Sequence, residues 1–339
     1  MKAWVIGPKS GAAGLRQVDQ ASPQPGPGEV VVDVLAAGLN YRDLMVLAGN
    51  YGSNLPDSRV PLSDGVGRIA ALGEGVNDWE IGQRVIAPHF VEWRDGPFAM
   101  QVFGRDLGVT LDGWLAEQLV LPGEALIAVP AALADASAAT LAVVGGTVWH
   151  AMVEFGEAGP GSLVLAQGTG GVSIFTLQLA KALGCAVAIT SSSEEKLARC
   201  RDMGADYAIN YRERPDWAAA LLEATGGRGA DVVVDTLGFP ALGETVAACA
   251  VNARIGTVGA LAGVQQAGVG VSQGLLIARN ISIKGVASGS RAMLDRAMDA
   301  LAESGSQMVV DRSFAFADAP AAFEHLASGA HFGKVAITV

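Results

Sequence analysis

The feature that most constrains this chain is a glycine turn between an apolar run and a helical pattern. Residues 163–167 read LVLAQ, the turn Gly168-Thr169-Gly170-Gly171 follows, and apolar residues then recur at helical spacing to residue 183. The first glycine permits a tight turn, and the second lets the backbone approach a ligand closely. The helix start supplies free N–H groups and a partial positive charge. We therefore predict that a diphosphate binds at one continuous stretch: Gly168, Thr169, Gly170, Gly171 and Val172.

This turn lies within a series of alternating strand and helix patterns. Further strand patterns occupy residues 186–190, 207–210, 232–235, 254–258 and 281–285. The alternation predicts a doubly wound parallel sheet, whose ligands bind at the carboxyl ends of the strands. A plain strand-to-helix turn is the alternative, since Ser173 stands where the dinucleotide fingerprint has its third glycine. The ends of the later strands supply further candidate contacts to a dinucleotide: Gly238, Gly259, Ala260, Leu261, Ala287 and Ser288.

The end of the second strand in this series favours NADP(H) over NAD(H). NAD-binding chains place an acidic residue about 20 positions after the turn, where it accepts the ribose hydroxyls. Here the strand runs into Ser191 and Ser192, Lys196 follows in the next helix, and Tyr211 follows the third strand. Hydroxyl groups and a cation suit a 2′-phosphate, which a carboxylate would repel. For Lys196 alone, a solvated lysine on a helix opened by the predicted capping box at 192–195 is the alternative.

The residues on either side of this series follow a different pattern. Strand patterns at 3–6, 29–37, 67–72, 84–87 and 116–120 are separated by turn residues, which predicts a partly open β-barrel. After the series, helical patterns at 292–302 and 318–329 precede a terminal strand pattern at 335–339. Periodicity alone does not establish whether this C-terminal segment packs on the first domain.

Charge and composition exclude several classes of protein. The 23 Lys and Arg residues against 34 Asp and Glu residues give a net charge of −11, which argues against binding to nucleic acid. Residues 136–153 carry no charge, but alanine and polar residues dominate them, so we predict a buried helix pair broken at Gly145-Gly146 and no membrane span. The three cysteines match neither a disulfide scaffold nor a zinc motif. We expect a soluble, cytoplasmic protein.

The chain resembles the medium-chain dehydrogenase/reductase superfamily over essentially its full length, in particular its zinc-independent, quinone-oxidoreductase-like branch. The resemblance is carried by ordered motifs: GLNYRD at 38–43, AGNY at 48–51, PLSDGVG at 61–67, GQRV at 82–85, GWLAE at 113–117, the stretch 139–147, GTGGVS at 168–173 and HFGK at 331–334. It implies an α/β protein with a GroES-like β-barrel catalytic domain and a Rossmann doubly wound parallel sheet. The barrel domain is expected to be discontinuous, at 1–124 with 290–339, and the Rossmann domain to occupy 125–289. It also implies a nicotinamide-binding cleft between the domains and a homodimer.

The departures from the family pattern bear on the chemistry. Zinc-dependent members of the superfamily have a cysteine where Asn40 stands and Gly-His-Glu where Leu62, Ser63 and Asp64 stand. They also have a cysteine or a carboxylate near Val143. The four-cysteine zinc lobe expected near residues 90–115 contains no cysteine here. We therefore expect neither catalytic nor structural zinc. Without a Lewis acid, hydride transfer to an activated alkene or quinone demands less than oxidation of an alcohol.

The resemblance also supplies candidate catalytic and coenzyme-binding residues. Asn40 and Tyr51 match positions that line the active cleft, both can donate hydrogen bonds, and Asp43 is a candidate to orient the loop. Tyr51 is a candidate proton donor to an enolate. The alternative is that Asn40 and Asp43 only shape a turn while Tyr51 only packs. Matches to coenzyme-facing positions of the family add three residues: Thr147, Gly333 and Lys334.

Together these observations predict an NADPH-dependent oxidoreductase that transfers hydride to a small hydrophobic quinone or other α,β-unsaturated carbonyl. An alcohol dehydrogenase or an enoyl-thioester reductase on the same scaffold is one alternative, and a non-catalytic NADPH-binding protein is another. Phe90 and Trp114 are candidate wall residues of the cleft or equally core residues. His150, in an apolar stretch, is predicted to be a core histidine, and we assign no chemical role to any histidine.

Overall fold

The computed structural model describes residues 1–7, 11–51, 58–261 and 270–339. These residues form two compact units, Met1–Gly146 with Ser290–Val339 and Thr147–Gly289. The first unit is thus discontinuous in sequence. Its first segment ends at Gly146, whereas the sequence places that boundary at residue 124.

Short strands separated by turns make up most of the first segment. The strands are β1 (Lys2–Val5), β2 (Arg16–Asp19), β3 (Glu29–Leu39), β4 (Asp64–Leu72), β5 (Arg84–Ile86), β6 (Gln118–Pro122) and β7 (Ile127–Ala128). The helices are α1 (Tyr41–Leu47), α2 (Asp135–Ala138) and α3 (Ala142–Val148). Residues 125–146 belong to this unit because β7 pairs with β5 and the backbone N–H of Val143 donates to Asp64 in β4.

The prediction of a helix break at Gly145-Gly146 is wrong. α3 runs through both glycines and continues into a π-helical segment, Trp149–Phe155. A Cβ atom on Gly145 would lie 2.9 Å from Leu294 Cδ1, so the absence of a side chain permits close packing without ending the helix. No helix in the described ranges is both long enough and apolar enough to span a bilayer.

The second unit is the doubly wound α/β structure that the sequence predicts. Its strands are β8 (Leu163–Gln167), β9 (Ala186–Ser191), β10 (Tyr207–Asn210), β11 (Ala230–Asp235), β12 (Cys249–Thr257) and β13 (Ser282–Gly285). Its helices are α4 (Gly171–Ala182), α5 (Glu194–Asp202), α6 (Trp217–Ala224), α7 (Leu242–Ala247) and α8 (Gln273–Ala278). The strands pair in parallel in the order β10-β9-β8-β11-β12-β13, which reverses direction at β8 and β11. This strand order is typical of the Rossmann fold.

The start of α5 differs from the predicted capping box by one residue. Ser193, rather than Ser192, is the N-cap, and its hydroxyl accepts a hydrogen bond from the backbone N–H of Lys196 at 3.3 Å. Ser192 is therefore left outside the cap, beside the end of β9.

The C-terminal segment returns to the first unit and completes its sheet. It contains α9 (Arg291–Glu303), β14 (Val310–Ala315), α10 (Ala319–Ala327) and β15 (Lys334–Thr338). β15 pairs in parallel with β14 and antiparallel with β3, giving the order β14-β15-β3-β4-β5-β7, with β6 also paired to β3. The start of β15, the end of β3 and the start of β4 are therefore neighbours in the sheet, although they lie far apart in the sequence.

Candidate functional site

A buried polar cluster lies where β15, β3 and β4 meet in the first unit. Val335 in β15 pairs with Leu39 in β3, and Gly38 in β3 pairs with Asp64 in β4. The residues next to these pairs, Lys334 and Asn40, therefore lie at the same end of the sheet as Asp64.

An ion pair holds this cluster together. Lys334 Nζ donates to Asn40 Oδ1 at 2.6 Å and to Asp64 Oδ2 at 3.0 Å. The second oxygen of Asp64, Oδ1, accepts from the backbone N–H of Val143 at 2.8 Å. The side chains of Lys334 and Asp64 are 3% and 0% exposed. Because an isolated buried charge is costly, each charge depends on the other and on these hydrogen bonds.

Asn40 precedes α1, and Asp43 lies in the first turn of that helix. Asp43 Oδ2 accepts from the backbone N–H of Asn40 at 2.7 Å, which satisfies a donor that the helix start would leave unpaired. The hydroxyl of Ser63 donates to Leu107 O at 3.1 Å and lies 3.4 Å from Asp43 Oδ1. Burial raises the pKa of Asp43 to about 7, although Arg42 and the Asn40 N–H both act to lower it. Asp43 thus contacts the backbone at the start of α1, and its role in orienting the catalytic loop stays a prediction.

A second charged cluster lies beside the first. Arg42 Nη2 donates to Asp106 Oδ2 at 2.5 Å, and Arg42 Nη1 lies 2.6 Å from His89 Nδ1. That same His89 nitrogen lies 2.8 Å from Asp106 Oδ1, so it either accepts from Arg42 or donates to Asp106. The Arg42 guanidinium also lies over the Tyr51 ring, 4.7 Å from its centroid.

The pKa directions in this second cluster follow from burial and from the close charges. Burial lowers the pKa of His89, and Arg42 lowers it further, so the imidazole is neutral near pH 7. Burial alone would raise the pKa of Asp106, but His89 and Arg42 lower it overall. Burial raises the pKa of Tyr51 against the opposing effect of Arg42. Tyr51 is therefore protonated at neutral pH, as a proton donor must be.

In the second unit, the structure places the glycine turn between β8 and α4. Gly168 has φ +82°, and a Cβ atom there would meet nothing within 4 Å, so the turn borders open space. Ser173 replaces the third glycine without obstructing the turn, because it is buried and its hydroxyl donates to Gln167 O at 2.6 Å. Together with the start of the 12-residue helix α4, these residues fit a dinucleotide diphosphate.

The structure brings together some of the residues that the sequence predicts to bind a 2′-phosphate. Asn210 in β10 pairs with Ser191 in β9, and the backbone N–H of Tyr211 donates to Ser191 O at 3.0 Å. The side chain of Tyr211 is exposed. The Ser193 cap places the backbone of Lys196 one turn into α5, close in sequence to Ser191 and Ser192.

The other predicted coenzyme residues of this unit form two groups. Gly238 has φ +81°, and its missing Cβ would lie 2.9 Å from Gly259 O and 3.1 Å from Ala260 Cα. Leu261 is exposed and its N–H donates to Thr236 O at 3.0 Å, so the loops after β11 and β12 pack together. In the second group, the hydroxyls of Thr147 and Ser288 lie 3.4 Å apart, and Ala287 is the next residue along the chain.

His150 is buried, as predicted for a core histidine. Its Nδ1 lies 2.6 Å from Ser288 O, and its Nε2 lies 3.0 Å from Lys284 Nζ. A carbonyl accepts and an ammonium donates, so Nδ1 carries the proton and Nε2 accepts. Burial lowers the pKa of His150.

The two predicted coenzyme contacts near the C-terminus, Gly333 and Lys334, each have a structural role within the first unit. Gly333 has φ +82°, and a Cβ there would lie 2.4 Å from Val309 O, so only glycine fits. Lys334 is engaged by Asn40 and Asp64 within the first unit. Coenzyme contact by either residue remains a prediction.

The residues at the family's zinc positions do not fit zinc. Asn40 Oδ1 and both oxygens of Asp64 already accept from N–H donors. The remaining positions offer only the hydroxyl of Ser63 and the aliphatic side chain of Val143. The described parts of the chain hold no group of three or more His, Cys, Asp or Glu residues arranged for a metal ion. In place of a four-cysteine lobe there is an aromatic cluster, in which Phe103 packs edge-on to Phe90 and Phe98, at 5.1 and 5.7 Å between ring centroids.

Phe90 and Trp114 both lie in the core, fully buried. An open groove of about 590 Å³ on the first unit, lined by Glu29, Trp79 and Arg105 among others, contains none of the predicted site residues. Arg42, His89 and Asp106 are the site residues that sequence reasoning missed. Arg42 lies 47 positions before His89 and 64 before Asp106, and no spacing in the sequence links the three residues.

Two family profiles match the chain, one in each part. The profile described as alcohol dehydrogenase GroES-like domain matches residues 26–131, and that described as zinc-binding dehydrogenase matches residues 171–303. A zinc-type alcohol dehydrogenase-like protein of Schizosaccharomyces pombe is 37% identical over 318 residues, which cover 92% of this chain and 91% of that protein. An acryloyl-coenzyme A reductase of Sulfurisphaera tokodaii is 33% identical over 272 residues, 76% of this chain and 77% of that protein.

Solved structures agree with this pattern. The crystal structure of an NAD-dependent alcohol dehydrogenase superposes with a TM-score of 0.90 at 31% identity, covering 100% of both chains. A mycobacterial quinone oxidoreductase superposes with a TM-score of 0.81 at 26% identity, also covering 100% of both chains. Dehydrogenases and reductases therefore share this architecture along its whole length.

Proposed function

Because the chain belongs to the medium-chain dehydrogenase/reductase superfamily, and is thus an oxidoreductase, we propose that it reduces quinones or other α,β-unsaturated carbonyls with NADPH and without zinc. The observation that carries the proposal is the contact of Lys334 with both Asn40 and Asp64. The oxygens that would have to bind a metal already accept hydrogen bonds from the Lys334 ammonium group and from the backbone N–H of Val143. The chain's own donors must then stabilise the charge that develops on the substrate.

The coenzyme part of the proposal rests on the turn at Gly168 and on the residues after β9. The open turn and the start of α4 fit a diphosphate. Ser191, Ser192 and Lys196 supply hydroxyls and a cation, and none of them carries the carboxylate that would repel a 2′-phosphate. When bound, the nicotinamide supplies the hydride that this chemistry requires.

Asn40 and Tyr51 are the proposed catalytic residues. The Nδ2 atom of Asn40 is buried, and among the described residues it has no hydrogen-bond partner, so it is free to donate to a substrate oxygen. That donor stabilises the oxygen as it gains negative charge. Tyr51, which is protonated at neutral pH, gives its proton to the resulting enolate. Asp43 holds the Asn40 backbone in place through its 2.7 Å hydrogen bond.

One alternative has specific support. The similarity to an acryloyl-coenzyme A reductase favours an enoyl thioester as the activated alkene, and the same two donors would serve its carbonyl oxygen. Alcohol oxidation is the second alternative, favoured by the relatives named as alcohol dehydrogenases. A non-catalytic NADPH-binding protein is the third.

We also propose a homodimer in the cytoplasm. β13 ends the sheet order, and all of its residues are exposed, so a second copy could pair with this edge. The three cysteines are buried free thiols, and burial raises the pKa of each, which suits a reducing compartment. Light scattering of the purified chain tests the dimer, and fractionation of cells tests the location.

The decisive experiment follows NADPH oxidation with quinones, enones, enoyl-CoA thioesters and aldehydes, alongside metal analysis of the same preparation. We expect turnover of a quinone or enone by protein that contains less than one zinc per ten chains. Turnover only of alcohols and aldehydes, or one tightly bound zinc per chain, would contradict the proposal. NADPH binding without turnover of any substrate would favour the non-catalytic alternative.

A further inference from the structure

The orientation of the Asn40 amide is fixed by chemistry as well as by position. An ammonium group only donates hydrogen bonds, so the atom that lies 2.6 Å from Lys334 Nζ must be the amide oxygen. The NH2 group of the same amide is therefore directed elsewhere. Its nitrogen is buried and lacks an acceptor in the described part of the chain. A buried donor without an acceptor is unfavourable, which points to an acceptor supplied by a ligand.

Lys334 is in turn held by groups that leave it little freedom. Asp64 Oδ2 accepts from its Nζ at 3.0 Å, and the backbone N–H of Val143 fixes the other oxygen of Asp64. Both charged side chains are almost completely buried. The ends of three neighbouring strands and the start of α3 thus fix the position of the ammonium, and the ammonium fixes the Asn40 oxygen.

The same contact changes the chemistry of the amide. A hydrogen bond from a cation to the amide oxygen draws electron density from the nitrogen, which makes the NH2 protons better donors. A donor that is already oriented needs no reorganisation when charge develops on a substrate. It therefore stabilises the transition state more than the bound substrate.

We infer that Lys334 and Asp64 are positioning residues that lock and polarise the Asn40 amide, so that its NH2 group donates to the substrate carbonyl oxygen. The inference rests on the proposed function and extends it to two further residues. Asn40 contacts the substrate, whereas Lys334 and Asp64 act through Asn40.

Two variants distinguish the role of the Asn40 NH2 group from that of the Lys334–Asp64 ion pair. Asn40→Asp has almost the same shape and keeps an oxygen for Lys334, but it loses the NH2 group. Removing Lys334 alone would leave Asp64 buried and unpaired, so the second variant is the double substitution Lys334→Met with Asp64→Asn, which leaves no buried charge at this pair. Lys181→Met is the matched control, because Lys181 Nζ lies 3.0 Å from Asp206 Oδ2 in the second unit, outside the site.

In turnover of a quinone or enone, we expect Asn40→Asp to lower kcat about 100-fold and the double variant to lower it about 10-fold, with kcat/KM falling in parallel. Lys334→Arg keeps a cationic donor at this position, so its kcat should lie between that of the double variant and that of the wild type. The Kd for NADPH should stay the same in all of them. Wild-type kcat in the double variant would overturn the inference. A weaker Kd for NADPH that accounts for the whole loss would also overturn it, because Lys334 would then serve the coenzyme.

A second measurement does not depend on turnover. In protein labelled with ¹⁵N-asparagine, the Asn40 NH2 signals are identified by their absence in Asn40→Asp, and their ¹⁵N relaxation reports how rigidly the amide is held. We expect a rigid NH2 group in the wild type and in Lys181→Met, and a mobile or shifted one in the double variant. Equal rigidity and equal shifts in all three would refute the positioning role. If the wild type reduces no carbonyl compound, the proposed function fails, yet this comparison still decides whether Lys334 and Asp64 hold Asn40.

Discussion

Replacing Asp43 with asparagine removes a buried carboxyl group whose pKa differs greatly between the folded and unfolded chain. Burial raises the pKa from 3.8 to about 7, and the side chain is 2% exposed. Asparagine keeps an oxygen that can accept from the Asn40 N–H, the contact that measures 2.7 Å in the wild type. The substitution therefore removes the titration while preserving the principal hydrogen bond.

The sign of the effect follows from linkage. A group with a raised folded pKa takes up a proton on folding, so its contribution to stability is complete below the unfolded pKa and disappears as the pH rises through the folded pKa. At pH 5 the folded pKa of Asp43 lies about 2 units above the pH. At about 1.36 kcal/mol per unit, Asp43 stabilises the wild type by roughly 2.7 kcal/mol more at pH 5 than at pH 8.

The assay compares urea unfolding of the wild type and Asp43→Asn from pH 5 to pH 8, read by hydrogen exchange in peptides from β3 and β4 so that it reports the first unit. The difference between the two proteins cancels the other titrating groups. We expect the wild type to lose roughly 2–3 kcal/mol relative to Asp43→Asn as the pH rises. Asp206→Asn is a control that should show no trend between pH 5 and pH 8, read in peptides from β9 and β10 of the second unit. Although burial acts to raise it, hydrogen bonds from Val187 N and Lys181 lower the Asp206 pKa below its ordinary value of 3.8, so this carboxyl is ionised in both the folded and the unfolded chain over the whole range. A constant difference between the wild type and Asp43→Asn, or one that grows towards alkaline pH, would refute a raised pKa.

Three further predictions concern the coenzyme site and the core. Lys196→Ala should weaken NADPH binding about tenfold and leave NADH binding almost unchanged in calorimetry, since a 2′-phosphate contact is worth about 1.4 kcal/mol or more; equal losses for both coenzymes would exclude the phosphate contact. Gly168→Ala should fold with a loss of about 1–2 kcal/mol, because φ is +82° while a Cβ there meets nothing within 4 Å, and a Tm equal to that of the wild type would show that the turn tolerates a side chain. Gly65→Ala should lower the free energy of unfolding by about 3 kcal/mol or more, because its Cβ would clash with the Trp114 ring. Gly104→Ala is the control, since no atom lies within 4 Å of its Cβ, and it should lower the free energy of unfolding by less than about 1 kcal/mol. Similar unfolding midpoints for the two variants would contradict the close packing at Gly65.

Local signals in the sequence were enough to predict much of the fold. The turn at Gly168 is visible because a positive φ, a tight turn and a helix start all fall within a few neighbouring residues. The strand–helix alternation likewise reports a parallel sheet, since each element carries its own periodicity. The errors arose where packing between distant elements decided the outcome. Gly145 does not end α3, because its missing side chain makes room for Leu294.

The sequence by itself determined the two fold classes, the glycine turn and the absence of thiolate and imidazole from the family's zinc positions. Only the tertiary structure decided what replaces them, because Lys334 lies 294 positions from Asn40 and 270 from Asp64 and meets them only through pairing of β15, β3 and β4. The same holds for Arg42, His89 and Asp106. Local patterns report how a segment folds, but buried charges find their partners through the packing of the whole sheet, and that packing is not a property of any one segment.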